Sequence, residues 1–149
     1  MKKLILSVLL VGLTGFFISC AKPGTTPTKS VKNSMTASIS GTAWTAQSMA
    51  PVANSVDVTI TAYASDGSNI KMTMPPLVSI KPGTYTFSQS GDYTFQYSNT
   101  VTNFLVNSGS TLTITSYSNN TMVGTFTASV TGGSVTESIT NGAFTAIFE

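Results

Sequence analysis

Ser55-Val-Asp-Val-Thr-Ile-Thr-Ala-Tyr-Ala64 puts Val56, Val58, Ile60 and Ala62 on one side of an extended chain and Asp57, Thr59, Thr61 and Tyr63 on the other. Alternation of this kind marks a half-buried strand, because successive side chains leave a strand on opposite faces. Asp66-Gly67 then supplies the residues of a tight hairpin turn, and Ile70, Met72 and Met74 form the return strand before Pro75-Pro76 breaks it.

The same texture runs outward in both directions. Upstream, Met35, Ala37 and Ile39 alternate with Ser and Thr, and Ser40-Gly41-Thr42 turns the chain into a segment carrying Trp44 and Ala46. Downstream, Tyr85/Phe87 and Tyr93/Phe95/Tyr97 follow Lys81-Pro82-Gly83 and Gly91-Asp92. Then come Phe104/Val106, Leu112/Ile114, Phe126/Ala128/Val130, Val135/Ile139 and, after Asn141-Gly142, Phe144/Ala146/Phe148. No stretch has a helical period. The reading is an all-β domain over residues 34–149 with about nine or ten short strands. The short connections force antiparallel neighbours. An antiparallel β-sandwich is the expected architecture, with an up-and-down β-barrel as the alternative.

Composition excludes much of catalysis. The 149 residues contain no His and, with all seven basic residues being Lys, no Arg. Histidine-dependent triads, dyads and zinc sites are therefore out, as are bidentate guanidinium clamps. Charged residues make up 8% against about 25% in ordinary domains, while 25 Thr and 21 Ser supply the solvating groups. One cysteine excludes an internal disulfide and a cysteine-clustered metal site. No cofactor or metal is expected.

That cysteine, Cys20, ends a leader. Lys2 and Lys3 precede an apolar run, Leu4 to Ile18, of 15 residues, short of the roughly 20 needed to span a bilayer. Phe17-Ile18-Ser19-Cys20 resembles a bacterial lipobox, which implies removal of residues 1–19 and lipidation of the Cys20 thiol. At about 0.8 kcal/mol per buried CH₂, two or three acyl chains would anchor the protein firmly. Residues 20–33, rich in Pro, Thr and Lys, read as a flexible tether. Ala21, where an Asp would signal inner-membrane retention, favours the outer membrane, and Lys22-Pro23-Gly24-Thr25 in place of an acidic cluster favours its periplasmic face. With the leader gone, residues 34–149 carry Lys71 and Lys81 against five acids, a charge of −3, so nucleic-acid binding has no electrostatic basis.

Thr36-Ala-Ser-Ile-Ser-Gly-Thr-Ala-Trp44, Leu112-Thr-Ile-Thr-Ser-Tyr117, Val123-Gly-Thr-Phe-Thr127 and Ile139-Thr-Asn-Gly-Ala-Phe144 together resemble a family of small Bacteroidota envelope lipoproteins with a domain of unknown function. The resemblance implies an anchored all-β domain and assigns no catalytic or binding residues.

Among the acids, Asp66 and Asp92 fall in turns, where Asp bonds its own backbone, and Asp57 lies on the polar face of a strand. Glu137 shares the parity of Val135 and Ile139, which points it inward: it lines a pocket, guards an edge strand, or marks a bulge. Ser65-Asp-Gly-Ser-Asn69 has one carboxylate, too few for a calcium loop. Tyr63 and Tyr117 take the hydroxyl-rich parity and suit stacking on a sugar ring or a protein surface. The expected function is a non-enzymatic, lipid-anchored envelope module that binds a glycan or an envelope protein. One alternative is a carbohydrate or small-ligand binder using Tyr63, Tyr117 and Glu137. The other is a carboxylate-dependent glycoside hydrolase pairing Glu137 with Asp57 or Asp92.

Overall fold

The computed structural model describes residues 31–149; the leader, Cys20 and the tether up to Ser30 lie outside the described residues. The domain is all-β and antiparallel. Its strands are β1 (Ser34–Ile39), β2 (Thr42–Thr45), β3 (Ser48–Ala53), β4 (Val58–Tyr63), β5 (Asn69–Met74), β6 (Gly83–Thr86), β7 (Thr94–Ser98), β8 (Asn103–Val106), β9 (Thr111–Ser118), β10 (Thr121–Gly132) and β11 (Val135–Ile147). The one helical turn among the described residues is a 3-10 turn at Leu77–Ser79.

These eleven strands form a single curled half-barrel sheet rather than the two separate sheets of a sandwich. The reason is the length of β10 and β11, 12 and 13 residues. β11 pairs along one edge of β10 and passes the sheet on to β1 and β2. The other edge of β10 is divided between two arms. Residues Thr121–Thr127 pair with β9, which carries β6, while Val130 and Thr131 pair with β8, which leads through β7, β5 and β4 to β3. Ser110 stitches the split between the arms: its Oγ accepts from Ser129 N at 3.0 Å and donates to Asn107 O at 2.9 Å.

The two ends of the strand order meet through the chain itself. β2 pairs with β1, and β3, two residues later, pairs with β4. Between them, Ala46 N donates to Met35 O at 2.9 Å and Gln47 N to Tyr63 O at 2.7 Å, so adjacent residues grip opposite ends of the sheet. β3 is a strand that the sequence reading does not anticipate, because Pro51 interrupts it. Asn54 N bonds Asp57 O at 3.0 Å, and by the two-residue period Val52 and Ala50 also face β4. The Pro51 nitrogen therefore falls on the open edge, where a missing N–H breaks no ladder and blunts pairing with another chain.

Two local readings also change. Val56 stands 76% exposed in the turn before β4, whereas Val58, Ile60 and Ala62 are fully buried. Asn141-Gly142 makes no turn: the chain runs straight through it as part of β11, with Asn141 at φ 52° and the register against β10 shifting between Phe126 and Ala128. The same left-handed conformation serves a bulge as readily as a turn.

The core lines the concave face. Phe87, Phe95, Phe126 and Phe144 pack in sequence, with ring centroids 5.2, 5.6 and 6.5 Å apart. Two glycines make room for this row. Gly142 lies opposite Phe126 and Gly124 opposite Phe144, so each ring covers a bare backbone on the facing strand. A Cβ on Gly124 would sit 2.6 Å from the Thr113 carbonyl oxygen and 2.7 Å from the Phe144 ring. Backbone cannot yield cheaply there. Gly124→Ala is expected to lower unfolding stability by about 1–3 kcal/mol, read as a drop in the urea midpoint, while Thr125→Ala on the outer face stays within about 0.5 kcal/mol of the parent.

Candidate ligand-binding cleft at the mouth of the half-barrel

Four turns converge at one end of the domain. Ser40-Gly41 joins β1 to β2 with both residues at positive φ, 47° and 86°, the geometry of a type I′ hairpin. The Ala64–Ser68 turn joins β4 to β5, Asn99–Thr102 joins β7 to β8, and Gly133-Ser134 joins β10 to β11. They lie against one another: a Cβ on Gly67 would reach Thr100 Cγ2 at 3.0 Å, and Ser40 N donates to Ser138 O at 2.7 Å. Beside the first two of these turns lies a cleft of about 280 Å³, lined by Ile39, Ser40, Thr42, Ala43, Trp44, Asp66, Tyr97 and Glu137.

The cleft has an aromatic floor and an acidic rim. Trp44 and Tyr97 are 6% and 8% exposed. The Trp44 indole N–H donates to Ser68 Oγ at 2.8 Å, and Ser68, itself buried, donates its hydroxyl at 2.6 Å and its amide at 2.9 Å to Asp66 Oδ1. Those two bonds, the hydroxyl's first, hold the Asp66 carboxyl below its ordinary value of 3.8, so it is ionised at neutral pH. On β11, Glu137 Oε2 accepts from Ser40 Oγ, which itself accepts from Ser138 N at 3.3 Å. Burial pushes the Tyr97 phenol above 10.0; the Ser68 hydroxyl opposes the shift, and the negative charges of Asp66 and Glu137 add to it.

Glu137 keeps the inward parity read from the sequence, opposite Val130, but at the point where β11 leaves the core: Ile139 is buried and Val135 half exposed. The result is a half-buried rim carboxylate. The acid that joins it is Asp66. Asp57 sits in the β3–β4 turn, where Asn54 Nδ2 donates to it at 2.7 Å, and Asp92 lies between β6 and β7; neither lines the cleft. Tyr63 and Tyr117 are not brought together. Tyr63, 45% exposed, ends β4 in one arm, whereas Tyr117 lies in β9 of the other, half buried against the core. The cause for Tyr117 is a register shift between Ile114 and Ser116, which sets it opposite the buried Met122. Trp44, Tyr97 and Asp66 were legible only as core and turn residues, because the pairings that gather them are long-range.

A β domain with a small, acidic, aromatic-floored cleft at one mouth is the class that this geometry defines. Among the described residues no group of three or more His, Cys, Asp or Glu side chains could hold a metal ion. Residues 32–147 match the family described as Domain of unknown function (DUF6252), and the chain belongs to that family. No curated protein and no solved structure matches it.

Ser68→Ala separates the roles of this relay. Leaving the buried Trp44 N–H without an acceptor is expected to cost about 1–3 kcal/mol in a chemical melt. The Asp66 carboxyl should also titrate closer to 3.8. Because its folded value is depressed, the stabilisation that Asp66 draws from Ser68 is present above the ordinary carboxylate range and is lost as pH falls through the lowered value. An Asp66 titration by NMR that is identical in parent and variant would contradict the relay.

Proposed function

We propose that the chain is a lipid-anchored protein of the bacterial cell envelope whose β domain is a non-catalytic binding module, with the mouth cleft as its ligand site. The observation that carries this reading is polarity along the domain. β1 starts at Ser34 beside Thr145, near the end of β11, and Asn33 Oδ1 accepts from Ile147 N at 2.7 Å. The chain thus joins the domain at the end opposite the cleft. A tether of about thirteen residues at up to ~3.3 Å each separates Cys20 from this point of entry. The lipobox-like Phe17-Ile18-Ser19-Cys20 supplies the anchor, and Ala21 with Lys22-Pro23 points to the periplasmic face of the outer membrane.

A second reading, carbohydrate binding, draws on the outer face of β6, β9 and β10. There Thr84, Thr113 and Thr125 form one row and Thr86, Thr111 and Thr127 another. Thr84 and Thr113 hydroxyls lie 3.0 Å apart, and Thr111 and Thr127 hydroxyls 3.1 Å. A hydroxyl array of this kind offers donors and acceptors to sugar hydroxyls.

Mass spectrometry of the mature protein from its native host tests the anchor. The expected N-terminal residue is an acylated Cys20, and Cys20→Ala should move the protein from the membrane to the soluble fraction. An unmodified N-terminus at any other residue contradicts the proposal.

A further inference from the structure

We infer that the mouth cleft is a receptor for a primary ammonium group; the inference rests on the reading of the cleft as a ligand site. It follows from which polar atoms the cleft has left to offer. The Trp44 N–H is consumed by Ser68, the Ser68 hydroxyl by Asp66, and the Ser40 hydroxyl by Glu137. Three of the donors around the cleft are therefore spent on the fold, while the Thr42 and Tyr97 hydroxyls, which also line it, can accept as well as donate. The charged groups that remain are both acceptors, the Asp66 and Glu137 carboxylates, beside the Trp44 and Tyr97 rings. Among the described residues no lysine lines the cleft: Lys71 is exposed on β5 opposite Thr61 and Gln96, and the Lys81 carbonyl accepts from the Tyr85 hydroxyl beside β6. An anion would meet two carboxylates, and a neutral ligand would leave both charges without a counter-charge. A cation with donors and no acceptors completes the site.

The kind of cation follows from the same accounting. Asp66 Oδ1 already accepts two bonds, and Glu137 Oε2 accepts one from Ser40. Each carboxylate thus presents chiefly one oxygen, Asp66 from the β4–β5 turn and Glu137 from β11. A guanidinium fork needs two oxygens of one carboxylate side by side. An ammonium is compact, with three diverging donors that reach single oxygens on separate groups. A calcium ion takes six to eight oxygens, whereas the cleft supplies two carboxylates. The aromatic floor adds attraction between the cation and the ring faces. A volume of about 280 Å³ admits an alkylammonium or the end of a lysine side chain.

Trp44 is the chain's one tryptophan, so its fluorescence reports directly on the cleft. The full-length protein in detergent is titrated with n-butylammonium chloride, and in parallel with n-butylguanidinium chloride, calcium chloride, sodium acetate and glucose. The expected result is a saturable change with n-butylammonium, about tenfold weaker or more with each of Glu137→Gln and Asp66→Asn, both variants keeping the parent's β circular-dichroism spectrum. Nα-acetyl-lysine N-methylamide distinguishes the sources. Tighter binding than n-butylammonium assigns the group to a protein partner's lysine, and equal or weaker binding to a small amine; both support the inference. Saturation by glucose, calcium or butylguanidinium with none by ammonium overturns the ammonium assignment while leaving a ligand site. No saturable change with any probe overturns the site as well.

Discussion

The pairing of β10 with β11 is the constraint on which the rest of the domain depends. Short strands cannot stand alone in water, and a two-stranded ribbon is marginal until a hydrophobic face is covered. Here β6, β8 and β2 have four residues each, and they are held because β10 and β11 are long enough to be shared. One edge of β10 serves two arms in succession, with Ser110 bridging the backbone where neither arm reaches. The facing glycines and phenylalanines, Gly124 with Phe144 and Phe126 with Gly142, let this ribbon curve while the Phe row fills the concavity. Curvature then brings β2 and β3 to the two ends of the sheet, where Ala46 and Gln47 tie them together.

The cleft is a by-product of the same ribbon. At its open end β11 passes from core to solvent, so an inward parity that buries Ile139 leaves Glu137 on the rim. β1, paired with β11, delivers the Ser40-Gly41 turn to Glu137, a contact across 97 residues of sequence. Trp44, in the strand that follows, reaches the β4–β5 turn and spends its N–H on Ser68. A chain with few charges thus gathers two of its five acidic side chains at one mouth, with no basic side chain lining it among the described residues.

Much of this was legible in the residues, and what was not has identifiable causes. Alternation located β4 and β5 and most of the core, since burial on one face imposes a period of two. Pro51 hid β3, because a proline signals a break unless its nitrogen is known to face an open edge, and that depends on which neighbour the strand finds. Asn141-Gly142 reads the same whether it turns the chain or bulges it, so two expected strands proved to be one. The bulge near Thr115 reversed the parity of Tyr117. Asp66 was recognisable as a turn residue, but its meeting with Glu137, Trp44 and Tyr97 arises from strand order, which short-range pattern does not encode.

Native-state hydrogen exchange tests the central role of the ribbon most directly. If the two arms depend on β10 and β11, the amides between Met122 and Val130 and their partners on β11 exchange slowest, only through global unfolding, while β3 and β6 open earlier at lower cost. A slowest set confined to β3, β4 and β5, with β10 and β11 exchanging before them, would contradict the account.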